Sequence, residues 1–268
     1  MWWIRYGREV NSVDKSLKRN ISDKSPEGKF TLSIIVPVYN ERDTWRETFE
    51  RLRAVDLGSV GKQIIFVDDC STDGTREQLL ELSEQQGDVI VKFHEQNRGK
   101  GAAIRTGLSA ASGDFVVIQD ADLEYDPADF PVLLEPLLAN EADVVYGSRF
   151  ASRIGSRGRL INYLANRFLT WLSNLTTGLK LTDMETCYKM FRLSVLREID
   201  LQEERFGFEP EVTAKVAGLG VRICERPIRY SPRSAKEGKK IGLLDGIEAI
   251  KCIFKYRPSR RRRAGMRD

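Results

Sequence analysis

Short apolar runs alternate with segments of helical periodicity through the first 150 residues of the chain. The runs are rich in β-branched residues and have the length of buried strands. They cover residues 32–38, 62–67, 89–93, 143–147 and a run that begins at Phe115. Between them, apolar side chains recur at helical spacing, in the sets Trp45, Phe49 and Leu52; Leu79, Leu80 and Leu82; 102–111; and Leu133, Leu134, Leu137 and Leu138. This alternation predicts an α/β fold with a doubly wound, mainly parallel sheet.

The pattern changes after residue 150, where an apolar helical segment covers 160–175. Basic residues surround or interrupt it: Arg153, Arg157, Arg159 and Arg167. The segment fits an amphipathic helix near a membrane, and equally an ordinary core helix with basic flanks. The remaining predicted elements are helices at 206–216 and 241–254 and a strand at 223–230. Because Pro227 interrupts that strand, we expect either an edge strand or an irregular segment.

Composition indicates one globular domain with loose ends. At 268 residues and 41% hydrophobic content, the chain can bury a sizeable core. We predict a flexible N-terminal arm at 1–29, a single domain at 30–256 and a basic C-terminal tail at 257–268. The formal charge of +4 is uneven, since Lys251 to Arg267 carries eight basic residues and no acid. Such a tail is usually solvated, but it can also attract an anionic membrane surface.

What the sequence lacks disfavours several classes of protein. Neither GxGxxG nor GxxxxGK[ST] occurs, which argues against a dinucleotide-binding enzyme and a P-loop NTPase, and no GxSxG motif suggests a hydrolase nucleophile. The four cysteines form no CxxC pair, so we expect a reducing compartment. The one histidine, His94, lies in a polar stretch, where we expect a solvated loop side chain.

No apolar run reaches the roughly 18 residues of a membrane span, and the first residues do not resemble a signal peptide. We therefore expect a cytoplasmic protein that meets a membrane, if at all, peripherally.

Three carboxylates follow the apolar run that begins at Phe115: Asp120, Asp122 and Glu124. In an extended segment, their spacing of two would turn all three to one side, where a cation is needed to neutralise them. Oxygen ligands favour Mg²⁺ or Mn²⁺, and such a metal commonly bridges to the phosphates of a nucleotide. The alternative is an acidic turn that merely ends a strand.

Motifs that follow successive runs resemble, in this order, those of family 2 glycosyltransferases. They are Val36-Pro37-Val38-Tyr39-Asn40-Glu41, Val67-Asp68-Asp69 with Ser71, Asp73 and Gly74, Asn97-Arg98-Gly99-Lys100-Gly101, Asp120-Ala121-Asp122, Gly147-Ser148-Arg149 and a loop at 233–242. The resemblance is strongest to the dolichol-phosphate mannose synthase-like branch of polyprenyl-phosphate glycosyltransferases, and it spans 32–256. It implies a Rossmann-like GT-A fold with a nucleotide-sugar-binding half at 30–150 and, at 151–256, an acceptor-side half extended by helices.

The resemblance also implies roles for individual residues. The nucleoside would be held by Pro37, Tyr39, Glu41, Val67 and Asp69. The diphosphate side would meet Asp120, Ala121 and Asp122. The ligands of Mg²⁺ or Mn²⁺ would be Asp122 and Glu124. The residues facing phosphates would be Arg149, Arg233 and either Lys239 or Lys240.

The chemistry of sugar transfer favours a phosphate acceptor. The departing phosphate needs neutralisation, which a metal and nearby Arg or Lys provide. A hydroxyl acceptor would also need a general base, for which Asp183 or Glu185 is available. A lipid phosphate is already anionic and mainly needs positive side chains such as Arg149 and Arg167. The predicted catalytic residues are Asp120, Asp122, Arg149 and Asp183.

We therefore predict an inverting, metal-dependent transfer of a hexose from a GDP-mannose or UDP-glucose type of donor to a polyprenyl (dolichyl) phosphate at a membrane surface. One alternative is a glycosyltransferase acting on a hydroxyl acceptor. Another is a non-catalytic protein that binds membranes or nucleic acid through its basic tail. We expect no nucleic acid partner, because basic residues are not interleaved with aromatic ones across the matched region.

Overall fold

The computed structural model describes residues 29–151, 160–233 and 243–258. The strands in these residues are β1 (Thr31–Val38), β2 (Gly61–Asp68), β3 (Val89–Phe93), β4 (Phe115–Ile118), β5 (Val144–Ser148), β6 (Lys189–Arg192) and β7 (Ile223–Pro227). They form one sheet in the order β3-β2-β1-β4-β6-β5-β7. Only β6 runs antiparallel to its neighbours among these strands. The predicted mainly parallel sheet is confirmed, and the segment with Pro227 is an edge strand.

Helices connect the strands and cover the sheet. Those in the described residues are α1 (Trp45–Ala54), α2 (Thr75–Gln85), α3 (Lys100–Ala110), α4 (Phe130–Leu138), α5 (Leu160–Thr177), α6 (Leu193–Arg197), α7 (Phe208–Leu219) and α8 (Leu243–Lys255). A 3-10 helix, Pro127–Asp129, precedes α4. All the segments with helical spacing are therefore helices, including the basic-flanked segment 160–175.

The core follows from the apolar runs, because strands covered on both faces have side chains buried in both directions. In β1, Ile34, Ile35 and Val36 are all fully buried. Trp45 and Phe49 of α1 contact Phe66 of β2 with ring centroids 5.9 Å apart. These contacts hold the loops that leave β1 and β2 at fixed positions.

The acidic segment after β4 is a turn and not an extended strand, which corrects one expectation. Pairing with β1 stops at Ile118, and Leu123 has a positive φ of 62°. Asp122 Oδ1 accepts a hydrogen bond from the backbone N–H of Glu124 at 3.1 Å. Such local bonds between an aspartate and its own backbone favour a turn over a strand. The three carboxylates are therefore not turned to one side by strand alternation.

Candidate active site

The predicted site residues gather beyond the carboxyl ends of the parallel strands, where ligands of open α/β sheets bind. Because β6 is antiparallel, the residues before it, including Asp183, reach the same edge of the sheet. All predicted site residues lie in the described part of the chain except Lys239, which lies outside it together with its alternative Lys240.

Arg233 connects two of the predicted acids. Its guanidinium lies 3.1 Å from Glu41 Oε2 and 3.1 Å from Asp122 Oδ2. Burial, together with the charges of Asp120 and Glu124, raises the pKa of Asp122 to about 7, although Arg233 opposes the shift. The ionised form of this carboxyl would be favoured by any further cation nearby.

Both predicted metal ligands already accept hydrogen bonds from protein groups. Asp122 accepts one from the backbone N–H of Glu124 and one from Arg233 Nη2, each at 3.1 Å. Glu124 accepts hydrogen bonds from Tyr230 Oη and from the backbone N–H of Arg233, each at 2.8 Å. Among the residues that the structure describes, no three His, Cys, Asp or Glu side chains are arranged to hold an ion. Mg²⁺ at a nucleotide site needs only one or two carboxylates, since waters and substrate phosphates complete its coordination. The carboxylate oxygens of Asp122 and Glu124 have the chemistry that suits a hard divalent cation, and the metal-binding role of both residues stays a prediction.

Asp120 forms an ion pair that sequence analysis missed. Lys100, the first residue of α3, lies 2.9 Å from Asp120 Oδ1 and 3.1 Å from Glu209 Oε1. Burial disfavours the charge of Asp120, but Lys100 outweighs burial and lowers the pKa of this carboxyl. Asp120 is therefore held as a carboxylate on the predicted diphosphate side. The motif at 97–101 could have identified Lys100 as a site residue from the sequence. No motif in the sequence pointed to Glu209.

Two glycines, one on each side of Lys100, allow the start of α3 to pack closely against the backbone of residues 203–204. A Cβ at Gly99 would clash with the carbonyl oxygen of Glu204, and a Cβ at Gly101 with that of Glu203. Gly99 also has a positive φ of 90°, a conformation that side chains disfavour. The glycines thus place the start of α3, and Lys100 with it, against the segment that leads into α7.

Arg149 and Asp183 form a buried ion pair. Nε and Nη2 of Arg149 each donate to an Asp183 oxygen at 2.7 Å, and the Arg149 backbone N–H donates at 3.0 Å. Their side chains are 8% and 0% exposed. Because three donors occupy the Asp183 carboxylate, it is poorly suited to take a proton from an acceptor. The geometry gives Asp183 the role of orienting Arg149, and its catalytic role stays a prediction.

His94 is buried, so the expectation of a solvated side chain is wrong. Its Nδ1 lies 2.7 Å from Asp69 Oδ1, and its Nε2 lies 2.8 Å from Thr106 Oγ1. Asp69 also accepts from the backbone N–H groups of Arg98 and Gly99 at 2.9 and 2.7 Å. These bonds tie the loop before α3 to the end of β2. Since protein donors already occupy Asp69, its nucleoside role stays a prediction.

We expect Asp69→Ala to lower the free energy of unfolding by about 3 to 5 kcal/mol, because an unmet buried hydrogen bond costs about 1 to 3 kcal/mol and three donors would lose their acceptor. Urea denaturation measures this loss, with Glu95→Gln as an exposed control in the same loop. Unchanged stability together with a higher KM for the donor would instead support direct contact between Asp69 and the nucleoside.

Glu185 is a second carboxyl with unusual surroundings. Its Oε1 is buried and has no hydrogen-bond partner. Burial and the nearby Glu209 raise the pKa of Glu185 to about 7, while Lys189 and Arg149 oppose the shift. A carboxyl in this state can exchange a proton near neutral pH.

The other predicted residues differ in their access to a ligand. Tyr39 is 37% exposed, and Pro37 is half-buried at the end of β1. Val67 and Ala121 are buried, so a ligand would meet their backbone and not their side chains. Arg167 is exposed on α5 and donates to the carbonyl oxygen of Thr182 at 3.0 Å.

Comparison with known families and relatives gives consistent matches. The family model described as glycosyl transferase family 2 matches residues 33–200. An undecaprenyl-phosphate mannosyltransferase of Micrococcus luteus is 34% identical over 234 residues, which are 83% of this chain and 92% of that relative. A dolichol-phosphate mannosyltransferase of Pyrococcus furiosus is 29% identical over 232 residues, covering 84% of this chain but 61% of that relative.

Solved structures share the fold. Glucosyl-3-phosphoglycerate synthase from Mycobacterium tuberculosis, in complex with Mn²⁺, UDP and glucosyl-3-phosphoglycerate, has a TM-score of 0.64 and 21% identity, with 97% of this chain and 88% of that chain covered. The same enzyme with Mg²⁺ and UDP gives a TM-score of 0.61 at 20% identity, with 96% and 87% covered. The predicted GT-A type of α/β fold is confirmed.

Proposed function

Because the chain belongs to glycosyl transferase family 2, we propose that it transfers a hexose from a nucleotide-diphosphate sugar to a polyprenyl phosphate, with inversion at the anomeric carbon. The observation that carries this proposal is the state of Asp122, a half-buried carboxyl beside two other acids with its pKa raised to about 7. A group in this state at the carboxyl edge of the sheet is suited to hold a cation against a diphosphate.

The donor nucleotide would bind over the ends of β1 and β2. Exposed Tyr39 offers a ring to the base. Glu41 already accepts hydrogen bonds from Arg233 and Thr44, and the lone pairs that they leave would accept from ribose or base. GDP-mannose and UDP-glucose are both candidate donors. The names of the relatives from Micrococcus luteus and Pyrococcus furiosus favour mannose.

The residues at the diphosphate would neutralise the charge that develops as the sugar leaves. A bound Mg²⁺ or Mn²⁺, held by Asp122, would supply electrostatic stabilisation of the departing diphosphate. Arg233, within 3.1 Å of Asp122, brings a guanidinium to the same place. Asp120 is kept in position by Lys100. Direct attack on the anomeric carbon from the side opposite the diphosphate inverts its configuration.

An acceptor phosphate would approach from the side of Arg149 and Arg167. Asp183 fixes the plane of the Arg149 guanidinium by two parallel hydrogen bonds, and the remaining N–H donors of Arg149 can serve a phosphate. Arg167, exposed on α5, adds a second cation. Since a phosphate nucleophile is already anionic, this arrangement needs no general base.

A glycosyltransferase acting on a hydroxyl acceptor is the second candidate, and Glu185 is the observation that favours it. Such an acceptor must lose a proton as it attacks, and a base with a pKa near 7 is well suited to remove it. Glu185 is half-buried, its buried Oε1 has no hydrogen-bond partner, and its pKa is raised to about 7.

Glu185→Gln separates the two candidates and carries a pH signature. Burial raises the folded-state pKa of Glu185 from 4.5 to about 7, so the native state loses stability relative to the unfolded state as the pH rises through this interval. We expect Glu185→Gln to be more stable than the wild type at pH 8 by on the order of 1 to 3 kcal/mol, and equally stable near pH 4, in urea denaturation. Transfer to polyprenyl phosphate should change less than about tenfold. A loss of about a hundredfold or more would favour the role of general base.

A direct assay tests the proposed function. Purified protein is incubated with Mn²⁺, labelled GDP-mannose or UDP-glucose, and either undecaprenyl phosphate, dolichyl phosphate or a hydroxyl acceptor such as a free hexose. We expect label in the lipid extract only with a polyprenyl phosphate, and none with excess EDTA. Label on the hexose would support the second candidate. Absence of transfer with every pair would contradict both.

The proposed acceptor is a membrane lipid, so we also propose that the enzyme works as a peripheral protein at a membrane surface. Among the helices that the structure describes, none has the length and apolar character to cross a membrane. Contact with lipid must then come from surface residues of this domain or from segments outside the described residues, such as the basic tail.

A further inference from the structure

Helix α5 exposes a whole face of large apolar side chains. Its large apolar side chains Ile161, Leu164, Phe168, Trp171 and Leu175 are between 51% and 73% exposed. Their spacing of three or four residues places them on one face of the helix. The rings of Phe168 and Trp171 lie 6.0 Å apart, so the face is continuous there.

The buried side of α5 carries hydroxyl groups as well as Leu169 and Leu172. Thr170, Ser173, Thr176 and Thr177 are all less than 9% exposed. Thr170 Oγ1 accepts a hydrogen bond from the backbone N–H of Met184, and Thr177 Oγ1 donates to the carbonyl oxygen of Ser173. A helix in water normally buries its large apolar side chains and exposes its polar ones. The outer face of α5 therefore carries apolar side chains where a helix facing water would carry polar ones, and it fits an apolar environment.

Among the side chains that the structure describes, those of the other helices form no such face. The remaining exposed large apolar residues in the described part of the chain are single ones or pairs: Tyr39, Leu80, Leu138, Ile247 and Phe254. Two of these, Ile247 and Phe254, lie on α8, which packs against α5. An apolar surface of this kind marks a contact with a membrane or with a protein.

The charge around α5 favours a membrane over a second protein. From residue 150 to residue 182 the sequence contains no Asp or Glu, whereas it contains Arg153, Arg157, Arg159, Arg167 and Lys180. An apolar helix face with Trp, in a stretch of sequence whose charged residues are all basic, complements the acyl boundary and the anionic headgroups of a lipid leaflet. Two copies of this chain would bring cations against cations at such an interface.

The buried side of helix α5 packs beside the acceptor side of the candidate active site. Arg167 of α5 bonds to Thr182, and Thr170 of α5 bonds to Met184, the neighbours of Asp183 on either side. We propose that the outer face of α5 docks into the lipid interface and so presents the active site to an acceptor phosphate. That the acceptor is a membrane lipid rests on the proposed function, whereas docking itself does not depend on substrate.

Trp171 provides a probe of this contact. The chain has four tryptophans: Trp2, Trp3, Trp45 and Trp171. When Trp2 and Trp3 are replaced by Phe, two remain, of which Trp45 is fully buried and Trp171 is exposed. The doubly substituted protein is mixed with vesicles of phosphatidylcholine and phosphatidylglycerol whose acyl chains carry bromine, a short-range quencher. We expect a blue shift and quenching of its fluorescence, at low and at high salt, and neither after Trp171→Phe is added.

A co-sedimentation experiment with the same lipids supplies matched controls. The triple variant Leu164→Gln, Phe168→Gln and Leu175→Gln should lose about tenfold or more in vesicle partitioning, because it withdraws three apolar side chains from lipid. Leu80→Gln and Leu138→Gln, exposed on α2 and α4, should bind as the wild type does. Deletion of 258–268 should weaken binding only at low salt, since attraction between exposed charges is screened within about 8 Å at physiological ionic strength.

Two results would overturn the proposal. One is vesicle-bound protein whose Trp171 is not quenched, which would place the tail or another surface at the lipid. The other is a lipid-free dimer that the triple variant converts to a monomer, which would assign the face to a second copy. Transfer to a short, soluble polyprenyl phosphate is assayed separately. Transfer without vesicle docking would support the proposed function and contradict the membrane role of α5. Docking without transfer would support the membrane role of α5 and contradict the proposed function.

Discussion

Asp122→Asn is expected to lower kcat/KM for sugar transfer at least about a thousandfold, because it removes the charge that would hold the metal at the diphosphate. The free energy of unfolding should stay the same or rise by about 1 kcal/mol. The reason is that burial, Asp120 and Glu124 disfavour the ionised form of Asp122, and asparagine is neutral. The loss of one bond to Arg233 partly offsets this gain.

The same substitution should change the pH dependence of metal binding. Protonation of Asp122 competes with a cation, so Mn²⁺ binding to the wild type should weaken as the pH falls through about 7. Isothermal titration calorimetry measures this when Mn²⁺ is titrated into the protein with the donor nucleotide bound. Asp88→Asn is the control, since Asp88 is an exposed carboxylate just before β3. Wild-type turnover by Asp122→Asn, or full turnover of the wild type in excess EDTA, would rule out the metal role.

Asp183→Ala should destabilise the protein by about 3 to 5 kcal/mol, since it leaves the buried guanidinium of Arg149 without a counter-charge. For a domain of this size, that corresponds to a fall in Tm of on the order of 10 °C. Transfer should fall as well, because Arg149 would lose the two bonds that fix its orientation. Thermal unfolding and the transfer assay measure the two effects.

Two controls separate this buried pair from an ordinary ion pair and from a catalytic base. Glu47→Ala removes an exposed pair with Arg51 and should cost less than about 1 kcal/mol. The double variant Arg149→Met with Asp183→Leu should be more stable than Asp183→Ala, because no unpaired charge stays buried. If Asp183→Asn abolished kcat without loss of stability, Asp183 would be a general base and the orienting role would be wrong.

Local patterns predicted the secondary structure well. The run at 89–93 is the strand Val89–Phe93, and the run at 32–38 is Thr31–Val38. Parallel strands covered on both faces need continuous β-branched and apolar residues, so the signal lies within a few consecutive positions. The motifs after β1, β2, β4 and β5 also indicated the carboxyl edge as the site, because parallel strands end on one side. Family membership followed from the order of those motifs.

His94 and Glu124 show where local patterns fail. A polar stretch predicted a solvated histidine, but the imidazole is buried against Asp69, 25 residues earlier in the chain. A spacing of two predicted carboxylates turned to one side, but pairing of β4 stops at Ile118 and the acids form a turn. Whether a side chain is solvated, and where it points, depends on which distant segments of the chain cover it. A local sequence pattern contains no information on those segments.

By itself the sequence determined the alternation of strands and helices, the sheet class and the family, and it singled out the acids that are predicted to meet the diphosphate. Only the tertiary structure decided how those acids are neutralised: Asp120 by Lys100, Asp122 by Arg233 and Asp183 by Arg149, over separations of 20, 111 and 34 residues. It also decided that α5 exposes its large apolar face and buries its hydroxyls. The physical reason is that strand and helix periodicity arises from neighbours along the chain, whereas charge pairing and burial arise from the order in which the strands enter the sheet.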